Sequence, residues 1–282
     1  VLPTIGSKEL VALLPFLLGI GAGEAVVFPR VAYPSYAMGA ELVGAEAIAS
    51  DDPAEWPANT RLVWLNSPSN PDGRVLNVSA LRAAVARARE LGAVIAGDEC
   101  YAEFGWEAPW DREAIPSILD PRVVGDDHTG VLSVYSLSKQ SNLAGYRAAF
   151  VGGDRELIES LLTMRKHTGL MQPAPVQAAM VAALQDETHV DEQRARYLAR
   201  RKLLVPALIA AGFRIEGSEA GLYLWATRGE DAWQSVEAFA RLGIVVGPGH
   251  FYGDDSPQHV RLALTASDEH VAEAAARIAA SR

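Results

Sequence analysis

Short apolar runs alternate with longer amphipathic stretches through the first two thirds of the chain. Residues 24–29 (EAVVFP), 46–50, 60–65 (TRLVWL), 93–97 (AVIAG), 131–135 and 148–152 (AAFVG) read as strands, each short, apolar and bounded by turn residues. Residues 7–18, 33–44 and 79–91 carry apolar side chains at helical spacing and read as helices. This βα alternation predicts an α/β fold with a mostly parallel sheet covered by helices. Ligands in such sheets gather beyond the carboxyl ends of the strands. Asn70, Asp98 and Lys139 each follow a predicted strand, so the topology can make them converge.

Beyond Gln172 the pattern changes. Residues 175–184 and 191–211 read as long helices. Residues 213–215, 222–227, 244–246 and 260–264 read as strands of a smaller α+β unit, closed by a helix over 267–281. The expected division is a large unit over 1–185 and a small C-terminal unit over 186–282. No internal repeat or low-complexity segment interrupts either.

Composition narrows the classes of function. A chain of 282 residues buries about 75% of its unfolded surface, enough for one large core or two smaller ones. The formal net charge of −10 argues against nucleic acid or an anionic membrane as the main partner, while leaving room for a small anion held by local arginines. The single cysteine, Cys100, supports neither a disulfide framework nor a thiolate zinc site, and fits a reducing cytoplasm. It reads as a small buried hydrophobe. The longest apolar run, residues 10–20, is too short to span a bilayer and contains Pro15. Val1 is not an initiator methionine, and VLPTIGSKEL reads as the interior of a domain, so a segment upstream of it is expected.

The densest chemistry lies in SLSKQSNLAGYRAAF, residues 136–150. Lys139 follows Ser136-Leu-Ser138, and Arg147 follows in a Gly-x-Arg. An amine can condense with an aldehyde. A guanidinium flanked by the Ser136 and Ser138 hydroxyls can bind a phosphate. The stretch can therefore hold an aldehyde cofactor that carries a phosphate. Asp98 opens DECYAEF directly after a predicted strand; it can pair with a protonated pyridine nitrogen or cap a helix. Tyr101 can set its hydroxyl beside a ring oxygen or pack as a core aromatic. Gly6, Ser7 and Lys8 open the first helix, whose free N–H groups suit a phosphate, with Ser7 also a good N-cap. Gly19-Ile-Gly21-Ala-Gly23 follows a helix and precedes a strand, the reverse of a dinucleotide fingerprint, and reads as a helix cap and turn. The six histidines show no metal-ligand spacing.

Taken together, SLSKxxNLxGxRAA, DECY and the NSPSNPDG turn resemble the signature of class I, fold-type-I aminotransferases that depend on pyridoxal 5'-phosphate. GSKELVA, WLNSPSNP, DECYAEFGWE, RKHTGLM, SEAGLYLWAT and GPGHFYG are similar, within that family, to actinobacterial succinyldiaminopimelate transaminases. The resemblance implies amino transfer between N-succinyl-L,L-2,6-diaminopimelate and 2-oxoglutarate, giving glutamate, by a cytoplasmic homodimer. It implies that Lys139 holds the cofactor and moves the proton. Asp98 would pair with the ring nitrogen, and Asn70 and Tyr101 would meet its phenolic oxygen. Tyr33 would lie against the ring. Ser136, Ser138, Arg147, Gly6, Ser7 and Lys8 would hold the phosphate. Arg261, with Asn70, would take the substrate α-carboxylate. Asp72 stands where the family usually has threonine. Lys166 and His167 are candidates for the distal carboxylates of a long donor. The resemblance also implies an upstream segment that supplies part of the small domain and a glycine loop near the substrate carboxylate. Two alternatives stay open: an aminotransferase for aspartate or another amino acid, and a transcriptional regulator whose DNA-binding part lies upstream.

Overall fold

In the computed structural model, which describes residues 1–281, a seven-stranded sheet and a four-stranded sheet each carry their own helices. The first half runs β1 (Leu2–Ile5), α1 (Ser7–Leu17), β2 (Ala25–Phe28), α2 (Ser35–Leu42), β3 (Glu46–Ala49), β4 (Thr60–Asn66), α3 (Val78–Leu91), β5 (Val94–Asp98) and α4 (Pro121–Val124). It continues with β6 (Val131–Ser136), α5 (Leu137–Gln140), β7 (Ala148–Gly153), α6 (Arg155–His167) and α7 (Ala174–Leu184). The remainder is α8 (Thr188–Ala210), β8 (Arg214–Ile215), β9 (Tyr223–Thr227), α9 (Ala232–Arg241), β10 (Gly247–Pro248), β11 (His259–Ala263) and α10 (Asp268–Ala280).

The large sheet has the order β1-β7-β6-β5-β4-β2-β3. Strand β7 pairs antiparallel with both neighbours, and the other pairings are parallel, so the sheet is mostly parallel as the βα alternation predicts. One face packs Leu62, Trp64, Leu132 and Val134 against Leu10, Leu14 and Tyr36 of α1 and α2. The other packs Val63, Leu65 and Ile95 against Leu81, Val85 and Ala88 of α3. The small sheet, β10-β11-β9-β8, is antiparallel. Its core joins Leu204, Leu208, Phe239, Val271 and Ile278 to Leu222, Leu224 and Val260, and takes in Tyr101, Phe104 and Trp106 from the loop after β5.

Besides the short helices α4 and α5 and helix α9, which have no counterpart in the sequence reading, three elements depart from it. Strand β1 was hidden by Pro3, which an edge strand tolerates because its missing N–H leaves no interior bond unmade. Helix α6 has no counterpart in the sequence reading, where RELIESLLTMRKH mixes five charged residues with five apolar ones; Asp154 caps it by accepting from the N–H groups of Glu156 and Leu157 at 2.8 and 3.2 Å, and only a narrow stripe that includes Leu161 faces inward. The strand expected at 244–246 is an irregular approach instead. Pairing falls to Gly247 and Pro248, opposite Arg261 and Val260, while Val245 is 98% exposed.

Helices α1 and α6 are tied by an ion pair across their contact. Arg165 is fully buried and forks onto Glu9, with N–O distances of 2.7 and 2.8 Å, while also donating to the Leu170 carbonyl at 2.9 Å. Glu9 also accepts from the Ile5 N–H at 3.3 Å, which fixes the entry to α1. Removing one partner of a buried pair strands the other charge. Glu9→Gln is expected to lower unfolding free energy by about 3 kcal/mol in a urea titration, whereas Glu159→Gln, in an exposed pair with Arg155, should change it little.

Candidate active site

Strands β4, β5 and β6 are neighbours, run parallel, and end at Asn66, Asp98 and Ser136. Their carboxyl ends open into a cavity of about 340 Å³. Lys139, Asp98, Tyr101, Asn70, Tyr33, Ser136, Ser138, Arg147, Ser7, Lys8 and Arg261 all line it. Gly6 is the remaining residue singled out by sequence, and it abuts the cavity through Arg147.

Asp98 lies at the end of a buried strand, itself buried, with the Tyr36 hydroxyl donating to Oδ2 at 2.9 Å and the Cys100 N–H reaching Oδ1 at 3.4 Å. Burial holds its carboxyl above the usual carboxylate range, against the lowering effect of hydrogen bonds from Cys100 and Tyr36 and of the nearby Lys139 charge. Among the described residues no cation forms an ion pair with it. A cation brought against such a carboxylate would offset the cost of its burial.

Lys139 stands in a single helical turn immediately after β6, which Ser136 caps by accepting from the Ser138 N–H at 3.2 Å. Arg147 adopts a left-handed backbone, φ 56°, after the turn at 144–146, and donates to the Ala144 carbonyl at 3.0 Å. Its guanidinium lies against the start of α1. Gly6 is the N-cap there, at φ 75°, and a Cβ on it would overlap the guanidinium. The N-cap is thus Gly6 and not Ser7; no side chain caps α1, and the Ser7 hydroxyl instead meets the Cys100 thiol at 3.5 Å. The uncapped N–H groups of α1, the guanidinium, and the Ser136 and Ser138 hydroxyls form a donor cradle fit for a phosphate. Phosphate donors around α1 and α5 and a buried carboxylate at the end of β5 match the two ends of pyridoxal phosphate.

Other contacts were not legible beforehand. Asn66 accepts from the Asn70 N–H at 2.8 Å and donates to the carbonyls of Pro68 and Asp98, folding the turn back onto β5. Arg261 donates to Asn70 Oδ1 at 2.9 Å. Tyr223 approaches both Arg261 and Tyr101. Tyr36, three residues beyond Tyr33 in VAYPSY, could have been suspected from that helical spacing; Asn66 and Tyr223 carry no comparable signal. Lys8 Nζ lies 5.1 Å from the Tyr33 ring centroid. Cys100 lines the cavity, and burial pushes its thiol well up, consistent with an unreactive hydrophobe. Lys166 and His167 do not line the cavity. In that last turn of α6 Arg165 faces inward, and its two successors face solvent.

The family described as aminotransferase class I and II matches residues 1–278. The 4-dedimethylamino-4-oxo-anhydrotetracycline transaminase OxyQ of Streptomyces rimosus is 56% identical over 99% of this chain and 76% of its own length. A probable aminotransferase of Mycobacterium tuberculosis is 54% identical over 99% of this chain and 66% of its own length. A probable N-succinyldiaminopimelate aminotransferase from Thermus thermophilus superposes with a TM-score of 0.87 at 28% identity, covering all of this chain and 77% of that one.

Raised carboxyl groups set a direction for pH dependence. Without a cofactor, the folded state binds a proton at Asp98 more tightly than the unfolded chain does. Stability therefore falls as pH rises from the ordinary carboxylate range through the raised value, and the penalty is complete above it. Asp98→Asn removes this share. In thermal melts of cofactor-free protein near pH 7, the variant is expected to melt a few degrees above wild type, with the gap closing in acid. A lower melting point than wild type at neutral pH would contradict the burial argument.

Proposed function

The chain belongs to the class I and II aminotransferase family, its activity is that of a pyridoxal-phosphate-dependent aminotransferase, and we propose that its donor is N-succinyl-L,L-2,6-diaminopimelate and its acceptor 2-oxoglutarate. One observation carries an amino-acid donor. Arg261, a planar cation, lines the same cavity as Lys139 and is held there by Asn70, so a carboxylate forked onto it sits beside the reacting amine. Similarity to the Thermus thermophilus protein and, at 31% identity, to an LL-diaminopimelate aminotransferase of Aquifex aeolicus supports the diaminopimelate skeleton. Lys8 lines the cavity beside the Tyr33 ring and, with Lys139, Arg147 and Arg261 given to the cofactor and the α-carboxylate, is the cavity cation left for a distal anion now that Lys166 and His167 lie outside. The reading includes a cytoplasmic homodimer and a division between large and small units near residue 185.

Pyridoxal phosphate, when bound, supplies an aldehyde that exchanges amino groups and a ring that withdraws electrons from the substrate Cα. Lys139 Nζ would hold the aldehyde and, when free, could take the substrate Cα proton as general base and return one as general acid. Asp98 would pair with the ring nitrogen. Tyr101 and Asn70 would donate to the phenolic oxygen, and Tyr33 would lie against the ring. Arg147, Ser136, Ser138 and the backbone at Gly6, Ser7 and Lys8 would anchor the phosphate. Arg261 would align the α-carboxylate.

A second reading has its own support. The 56% identity to the transaminase of 4-dedimethylamino-4-oxo-anhydrotetracycline favours amination of a bulky oxo substrate. The test is kcat/KM measured side by side for succinyldiaminopimelate, free diaminopimelate and aspartate as donors, with that oxo-anhydrotetracycline as an alternative acceptor from glutamate. Remote contacts of the long donor should raise its kcat/KM about tenfold or more over aspartate. Equal or better turnover of aspartate would sink the donor assignment. Preferred turnover of the oxo-anhydrotetracycline would replace it with the second reading.

A further inference from the structure

Tyr223 opens β9 and is mostly buried between two groups that serve different ends of the reaction. Its hydroxyl oxygen lies 3.4 Å from that of Tyr101, and the two rings meet edge to face with centroids 5.8 Å apart. On its other flank, the central carbon of the Arg261 guanidinium stands 4.0 Å from the ring centroid. The sheet imposes this contact. Register pairs Tyr223 with Ala263 and Trp225 with Arg261, which makes Tyr223 and Arg261 diagonal neighbours on one face. Tyr252 lies 5.1 Å from the same guanidinium carbon, so the cation is lined by aromatic rings.

We infer that Tyr223 is a positioning residue that couples the substrate-carboxylate site at Arg261 to the phenolic-oxygen site at Tyr101, its ring orienting the guanidinium and its hydroxyl orienting the Tyr101 O–H. The inference rests on the roles proposed above for Tyr101 and Arg261. Either hydroxyl of the pair can donate. Once an acceptor faces Tyr101, its proton is committed there, and its oxygen is left to accept from Tyr223. A donor into that oxygen strengthens Tyr101 as a donor in turn. Burial, and after it the neighbouring Tyr223, push the Tyr101 hydroxyl well above its ordinary value, so it keeps the proton it must share. Phenylalanine at 223 would supply the ring without the hydroxyl, so the two contributions can be separated.

The test uses the cofactor-loaded protein and its Tyr223→Phe, Tyr223→Leu and Tyr101→Phe variants. Two quantities are read: the midpoint of the pH titration of the visible cofactor band, and KM and kcat for the amino donor. Loss of the hydroxyl in Tyr223→Phe should raise the midpoint by about half to one pH unit. It should leave KM within about twofold, because the ring face remains. Tyr223→Leu should raise KM in addition, on the order of tenfold. A wild-type midpoint in Tyr223→Phe, with Tyr101→Phe shifted, overturns this inference alone. An unshifted Tyr101→Phe removes the role given to Tyr101, and this inference falls with it.

Discussion

Asp98 puts a carboxylate at the end of a central strand where water is largely excluded and no cation among the described residues pairs with it. Burying such a group is unfavourable, and hydrogen bonds from Tyr36 and the Cys100 N–H offset only part of the cost. The surrounding architecture follows from keeping it there. Tyr36 must be carried in by α2, Trp64 packs on Tyr36 with ring centroids 5.4 Å apart, and Asn66 reaches across to the Asp98 carbonyl at 2.9 Å. A protonated ring nitrogen placed against that carboxylate would relieve the cost, so a site that weakens the empty protein would be stabilised by the proposed cofactor.

The opposite end of the cavity is organised by close approach. Gly6 lets the Arg147 guanidinium lie on the first turn of α1, where any side chain would displace it. The same turn is fixed from behind by Glu9, held by Arg165 on α6. A buried ion pair that does not itself line the cavity thus helps set the position of the backbone donors. The small sheet contributes Arg261 on β11 and Tyr223 on β9 to the cavity wall, so relative placement of the two sheets decides whether one ligand can touch both.

Much of this was legible in the chain. Lys139, Asp98 and Asn70 follow apolar runs, and a parallel sheet necessarily aligns such positions at one edge. The strands at 60–66, 94–98 and 131–136 were clear because buried parallel strands are apolar throughout. Partners defined by tertiary proximity were not legible. Asn66 and Tyr223 look like ordinary turn or core residues until the fold brings them to Asn70 and Tyr101. Arg165 was overlooked for its neighbours Lys166 and His167, because periodicity alone does not say which cation of a basic run turns inward. The strand expected at 244–246 failed because three apolar residues in a row do not reveal pairing; the hydrogen bonds go to Gly247 and Pro248.

If the cavity at the ends of β4, β5 and β6 binds pyridoxal phosphate with Lys139 as its covalent anchor, borohydride should fix the cofactor to that lysine. Reduction of the cofactor-loaded protein, followed by proteolysis and mass spectrometry, reads this out. One modified peptide is expected, with the reduced cofactor on Lys139 and none on Lys8. Attachment at Lys8 or any other lysine, or no attachment in protein that still transaminates, would contradict it.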